Sequence, residues 1–216
     1  MNRRDFSALM GVSALSPLAL AQGGAPVEGR QFTRLAQPLP VTPGKIEVVE
    51  FFWYGCPHCF AFDPVLEAWV KTLPADVAFR RVHVGFNAMI KLHQKLFFAL
   101  EAMGKEAEVH MAVFNAFHRD RLDLSTEASV MAMVGKIGVD LVKFKAAFNS
   151  FGVQSKCLQA VKLSENFRID GVPALGIGGR FLTSPSMAGQ RGEPEIALGN
   201  KAVAVADYLI KLARKA

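Results

Sequence analysis

The chain has 216 residues, 51% of them apolar, which is enough to bury a sizeable core in one domain or in one domain carrying an insertion. Its net charge of +6 is spread without a Lys/Arg block interleaved with aromatics, which argues against a nucleic-acid binder. Three cysteines are too few for a disulfide-scaffolded fold.

Residues 1–21 read as a cleavable export signal. Arg3 and Arg4 form a basic start, an apolar segment runs from Phe6 to Leu20, and Ala19-Leu20-Ala21 supplies the small residues of a cleavage site. The segment is too short for a comfortable transmembrane helix. Arg3-Arg4-Asp5-Phe6 also resembles the twin-arginine export motif, so two export routes stay open, both ending outside the cytoplasm.

Four prolines (Pro26, Pro38, Pro40, Pro43) keep residues 22–44 from forming helix, and an edge strand is expected within 31–36. Residues 46–54 are nearly all apolar, as a strand buried on both faces should be. A helix is expected from Pro57 to about Leu73, kinked by Pro64, then a parallel strand over 77–84. From residue 88 to about 150 the apolar spacing is three and four, with Gly104 as a stop and Ser125 and Asp140 as N-caps. Another helix is expected over 153–167. A hairpin over 174–182 turns at Gly178-Gly179, and a terminal helix covers 195–215.

Cys56-Pro57-His58-Cys59 stands where the apolar strand gives way to a helix. A helix N-terminus offers free N–H groups and a positive dipole end, and both favour a thiolate. Cys56, nearest that end and nearest solvent, is the candidate nucleophile, and Cys59, one turn in, the candidate resolving thiol. The pair could instead be a permanent disulfide or half of a zinc site. Zinc needs two further ligands, and only Cys157 and scattered histidines remain. Phe60 after Cys59 excludes covalent haem attachment.

CPHC, the distant Val172-Pro173 pair and the order strand, CPHC, helix, strand, helical stretch, hairpin, helix together resemble the DsbA family over essentially the whole mature chain. The resemblance implies an α/β thioredoxin-like fold, a central mixed sheet flanked by helices, with an inserted all-helical domain. The expected division is 1–21 signal peptide, 22–86 and 154–216 thioredoxin-like, 87–153 inserted. It implies a monomeric periplasmic thiol:disulfide oxidoreductase that donates its disulfide to unfolded exported proteins. A DsbB-like quinone-linked membrane protein would reoxidise it, and no dissolved cofactor or metal is needed. The rivals are an isomerase or reductant of the same fold, for which an N-terminal dimerisation domain is missing, and a chaperone-like binding protein with incidental thiols.

His58 can stabilise the Cys56 thiolate by charge or a hydrogen bond, and Pro57 opens the helix. On the chain alone Val172–Pro173 could be an ordinary trans bond. The resemblance implies a cis bond facing the thiols, with backbone groups offered to a substrate strand. Glu50 interrupts the most apolar strand, where a carboxylate must be paired or protonated, and is the candidate proton relay for Cys59. Arg81 falls near a family position that is usually Lys; its permanent charge could keep Glu50 ionised and make it a poorer proton donor. Asp63 reads as a solvated helix-face carboxylate and Cys157 as a small buried hydrophobe. His83, His93, His110 and His118 read as surface or strand histidines.

Overall fold

The computed structural model describes residues 24–41 and 43–215; the signal segment expected over 1–21 lies outside them. Five strands, β1 (Thr33–Arg34), β2 (Ile46–Phe52), β3 (Val77–His83), β4 (Ala174–Ile177) and β5 (Phe181–Thr183), form one sheet in the order β1-β5-β4-β2-β3. β2 and β3 run parallel, with Glu50 opposite Arg81, and the other pairs are antiparallel. The mixed sheet is the one expected. β2 lies inside it and is buried from Val48 to Phe52, which accounts for its near-continuous apolar run.

The two faces of the sheet have different cores. On one, Val48, Leu175 and Ile177 pack with Phe62 and Leu66 of α1 (Pro57–Val70) and with residues of the terminal helix (Glu195–Ala213). On the other, Val49, Phe51 and Ala174 join one continuous core with five helices. These are α2 (Ala88–Ala102), α3 (Glu106–His118), α4 (Glu127–Lys136), α5 (Leu141–Phe148) and α6 (Phe151–Asn166), and no strand interrupts them. The helical stretch therefore shares its core with the sheet, which ties it to the end of β2 where the cysteines begin.

Local signals set most boundaries. Gly178 and Gly179 both take positive φ (58° and 62°), as a two-residue hairpin turn of this twist requires. Asp140 caps α5 by accepting from the N–H groups of Val142 and Lys143. The cap of α4 is Thr126, one residue after the expected Ser125, because Thr126 and Ser129 form a reciprocal capping box while the Ser125 N–H donates to Asp123. α6 starts two residues early, at Phe151, capped by Ser150. α1 continues as one helix through Pro64. A four-residue helix, α7 (Pro185–Ala188), was not expected; Ser184 caps it, and the terminal helix is α8.

Candidate active site

β2 ends at Phe52, and a turn closed by the Cys56 N–H on the Trp53 carbonyl (3.0 Å) delivers Cys56 to the N-cap of α1. Pro57 occupies the first helical turn, where no N–H is missed. Cys56 is 6% exposed and Cys59 is fully buried; both thiols are free. The hydrogen bond from Cys59 lowers the Cys56 thiol to about 6. The backbone N–H groups of Cys59 and His58 and the charge of His58 help, against an opposing contribution from burial. Burial pushes Cys59 well above the ordinary thiol value, and the neighbouring Cys56 and the charge of Glu50 add to it. The two sulfurs are thus opposite in character: Cys56 ionises more readily than an ordinary thiol, and Cys59 less readily. His58 is exposed, and its Nδ1 lies 2.8 Å from Glu195 Oε1 at the start of α8, a pairing the sequence did not indicate.

Val172–Pro173 is cis, and the Cys56 thiol donates to the Val172 carbonyl oxygen at 3.4 Å. Beside this contact opens a groove of about 1140 Å³, running from His58 past Val172 and Pro173 to Met187 and Leu198. Its lining mixes apolar side chains such as Leu35, Val172, Met187 and Leu198 with charged ones such as Arg34, Arg168 and Glu195, and the cis-proline segment adds backbone groups of the kind an extended peptide can pair with.

Beneath the thiols, Glu50 is 1% exposed. Arg81 donates from Nε to Glu50 Oε2 (2.9 Å) and from Nη2 to Asp63 Oδ1 (3.3 Å), and it also pairs with Glu67. Burial nevertheless raises Glu50 to about 7, with Arg81 pulling the other way. This corrects the expectation that Arg81 keeps it ionised, because desolvation outweighs the ion pair. Asp63 is corrected too. It is 1% exposed, because α3 covers that face of α1 and places His110 Nε2 3.1 Å from Asp63 Oδ1.

Of the four histidines read as surface or strand residues, His83 does end strand β3, but none of the other three lies fully exposed on the surface. His83, His93 and His110 are buried and His118 is half-buried. Burial lowers His83 to about 3, so it stays neutral. Burial would lower His110 too, but the hydrogen bonds of Asp63 and Glu106 outweigh it and raise its pKa. Tyr54, Glu67 and these histidines were missed as site residues, since no motif or spacing in the chain marks them. Cys157 is half-buried against the core, and burial pushes its thiol up to about 11. Among the described residues, no cluster of three or more His, Cys, Asp or Glu side chains could hold a metal ion.

A family model described as DSBA-like thioredoxin domain matches residues 89–197. The chain is similar to the thiol:disulfide interchange protein DsbA of Azotobacter vinelandii, at 43% identity over 87% of this chain and 85% of that one. Its similarity to the Pseudomonas aeruginosa DsbA is 38% over 100% and 99%. The crystal structure of Pseudomonas aeruginosa DsbA superposes with a TM-score of 0.80 over 87% of this chain and 94% of that one, at 38% identity. A Proteus mirabilis DsbA variant, solved with a non-covalently bound peptide PWATCDS, superposes at 0.70 over 86% and 100%, at 27% identity. With such relatives matching over most of its length, and with two cysteines at a strand–helix junction of a mixed sheet flanked by helices, the chain is a thiol:disulfide oxidoreductase of thioredoxin fold and belongs to the DsbA family.

Proposed function

We propose that Cys56 and Cys59 form the disulfide this enzyme donates, to unfolded proteins exported to the periplasm. A client thiolate attacks Cys56 Sγ, the Cys56–Cys59 bond breaks, and Cys59 leaves with the electron pair. Glu50, close to half-protonated at neutral pH, supplies Cys59 with a proton. A second client thiolate then attacks the client sulfur of the mixed disulfide and expels Cys56 as a thiolate. The client loses two electrons and the enzyme gains them. A DsbB-like quinone-linked membrane oxidant takes them back, with no dissolved cofactor. His58 stabilises the Cys56 thiolate and Pro57 starts the helix beneath it. Val172 and Pro173 align the client chain in the groove, as a monomer can do unaided. Residues 87–153 are the helical insertion between thioredoxin-like segments 22–86 and 154–216.

The observation that carries this reading is the opposite displacement of the two thiols. A thiolate at position 56 stabilises only the reduced enzyme, so the disulfide is the less comfortable state and electrons flow in from clients. At pH 7, a thiol near 6 contributes at most about 1.4 kcal/mol, or about 30 mV for a two-electron couple; solvent near the sulfur reduces it. Titration by thiolate absorbance tests the reading. A Cys56 midpoint near 6, with client oxidation abolished in a folded Cys56→Ser variant, supports it; a midpoint near 9 overturns it.

A further inference from the structure

Tyr54 lies two residues before Cys56 and is fully buried. Each of its three polar groups meets a histidine. Its N–H donates to His83 Nε2 (3.2 Å), its carbonyl oxygen accepts from His118 Nε2 (2.8 Å), and its hydroxyl lies 3.0 Å from His110 Nδ1. A fourth histidine, His93, accepts at Nδ1 from the indole N–H of Trp53 (2.9 Å). They come from β3, α2 and α3 and converge on two consecutive residues.

The far side of each ring fixes its role. His83 donates from Nδ1 to the Val84 carbonyl (2.8 Å), which leaves Nε2 as an acceptor. His93 donates from Nε2 to the Leu124 carbonyl (2.8 Å), which leaves Nδ1 as an acceptor. His110 faces Asp63 with Nε2, and its Nδ1 also faces Glu106 at 2.8 Å. A phenylalanine would fill the same space but hold none of these directions. The restraint passes to the redox centre through the backbone, because the Trp53 carbonyl accepts the Cys56 N–H.

We propose that His83, His93, His110 and His118 are positioning residues for the redox pair: they pin Trp53 and Tyr54, and thereby hold Cys56 Sγ against the first N–H groups of α1. The collar lies outside the reacting atoms and acts through this turn and through the contacts of His110 with Asp63 and of His118 with Phe60 on α1. The inference rests on the reading of Cys56 as the nucleophile.

His118 gives the cleanest test. It is half-buried and stacks on Phe60 at 4.8 Å and 13°, a contact His118→Phe can keep while losing the bond to Tyr54. His93→Leu removes the bond to Trp53. His118→Gln and His93→Gln retain a donor and an acceptor respectively. The readouts on reduced protein are the Cys56 midpoint by thiolate absorbance and the equilibrium constant with glutathione, with urea unfolding as the control for folding. The expected result is a Cys56 midpoint raised by about half a unit to one unit, with the glutathione equilibrium at pH 7 shifted about three- to fivefold toward the oxidised enzyme. The Gln variants should recover most of it. If His93→Leu does not fold, His118→Phe decides alone. Folded variants with the parent's midpoint overturn the collar. A parent midpoint near 9 overturns instead the reading of Cys56 on which the collar rests.

Discussion

Arg81 donates to Glu50 across 2.9 Å between neighbouring parallel strands, yet the carboxyl it holds is raised to about 7. The guanidinium is divided among Glu50, Asp63 and Glu67, so no one carboxylate has its full charge. Burial decides the outcome for Glu50, which is left able to carry a proton near neutral pH beneath a buried thiol.

The first prediction concerns Glu50 and pH. A carboxyl raised above its ordinary 4.5 keeps a proton in the folded protein that the unfolded chain has released. Stability therefore falls as pH rises from about 4.5 to about 7, by at most about 3 kcal/mol. Glu50→Gln removes that slope. Urea unfolding of reduced protein should show the variant gaining on the parent between pH 4.5 and pH 8. A difference that does not change with pH would reject burial as the controlling factor.

Arg81→Met leaves Glu50 and Asp63 buried without their cation. Removing one partner of a buried ionic cluster costs about 3–5 kcal/mol. Glu50 should rise further, carrying the pH slope to higher pH. Arg81→Lys keeps the charge but not the planar fork that reaches several carboxylates, and should recover only part of the loss. Equal stability of the Met variant and the parent in urea would contradict this.

His58→Leu removes a charge and leaves the backbone N–H in place. The ring is solvent-exposed, so the Cys56 thiol should rise by less than about one unit, a shift below about tenfold in the glutathione equilibrium. The exposed pair with Glu195 contributes no more than about 1 kcal/mol, so the urea midpoint should barely move. A large loss of stability would show that the pair clamps α1 to α8.

Gly176→Ala tests the packing behind the cis-proline segment. A Cβ there would lie 2.5 Å from the Phe167 ring, which is buried and packs on Phe51 with ring centroids 5.2 Å apart. Overpacking of this kind costs about 1–3 kcal/mol. The variant should unfold at lower urea, and wild-type stability would mean that Phe167 has room to move.

Some of this was legible in the chain because the responsible forces act within a few residues. The apolar run of β2, the proline opening α1, Asp140 as a cap and the glycine pair at the hairpin are local signals, and each element formed where they indicated. The burial of Glu50 could be read as well, because it stands in the middle of an apolar run that is buried from Val48 to Phe52. The Thr126 cap was misplaced by one residue because two adjacent hydroxyls compete, and side-chain pairing with Ser129 chooses between them.

Backbone propensity, capping and turn chemistry act over a few residues, so the chain alone marks all the longer elements, their order and the placing of two thiols at a strand–helix junction, though not the four-residue α7. What surrounds those thiols comes from packing between elements far apart in the chain. His110 meets Asp63 from 47 residues away and Glu195 meets His58 from 137. Periodicity tells which face of an element turns inward but not which neighbour covers it, and burial, pKa and hydrogen-bond direction all depend on that neighbour.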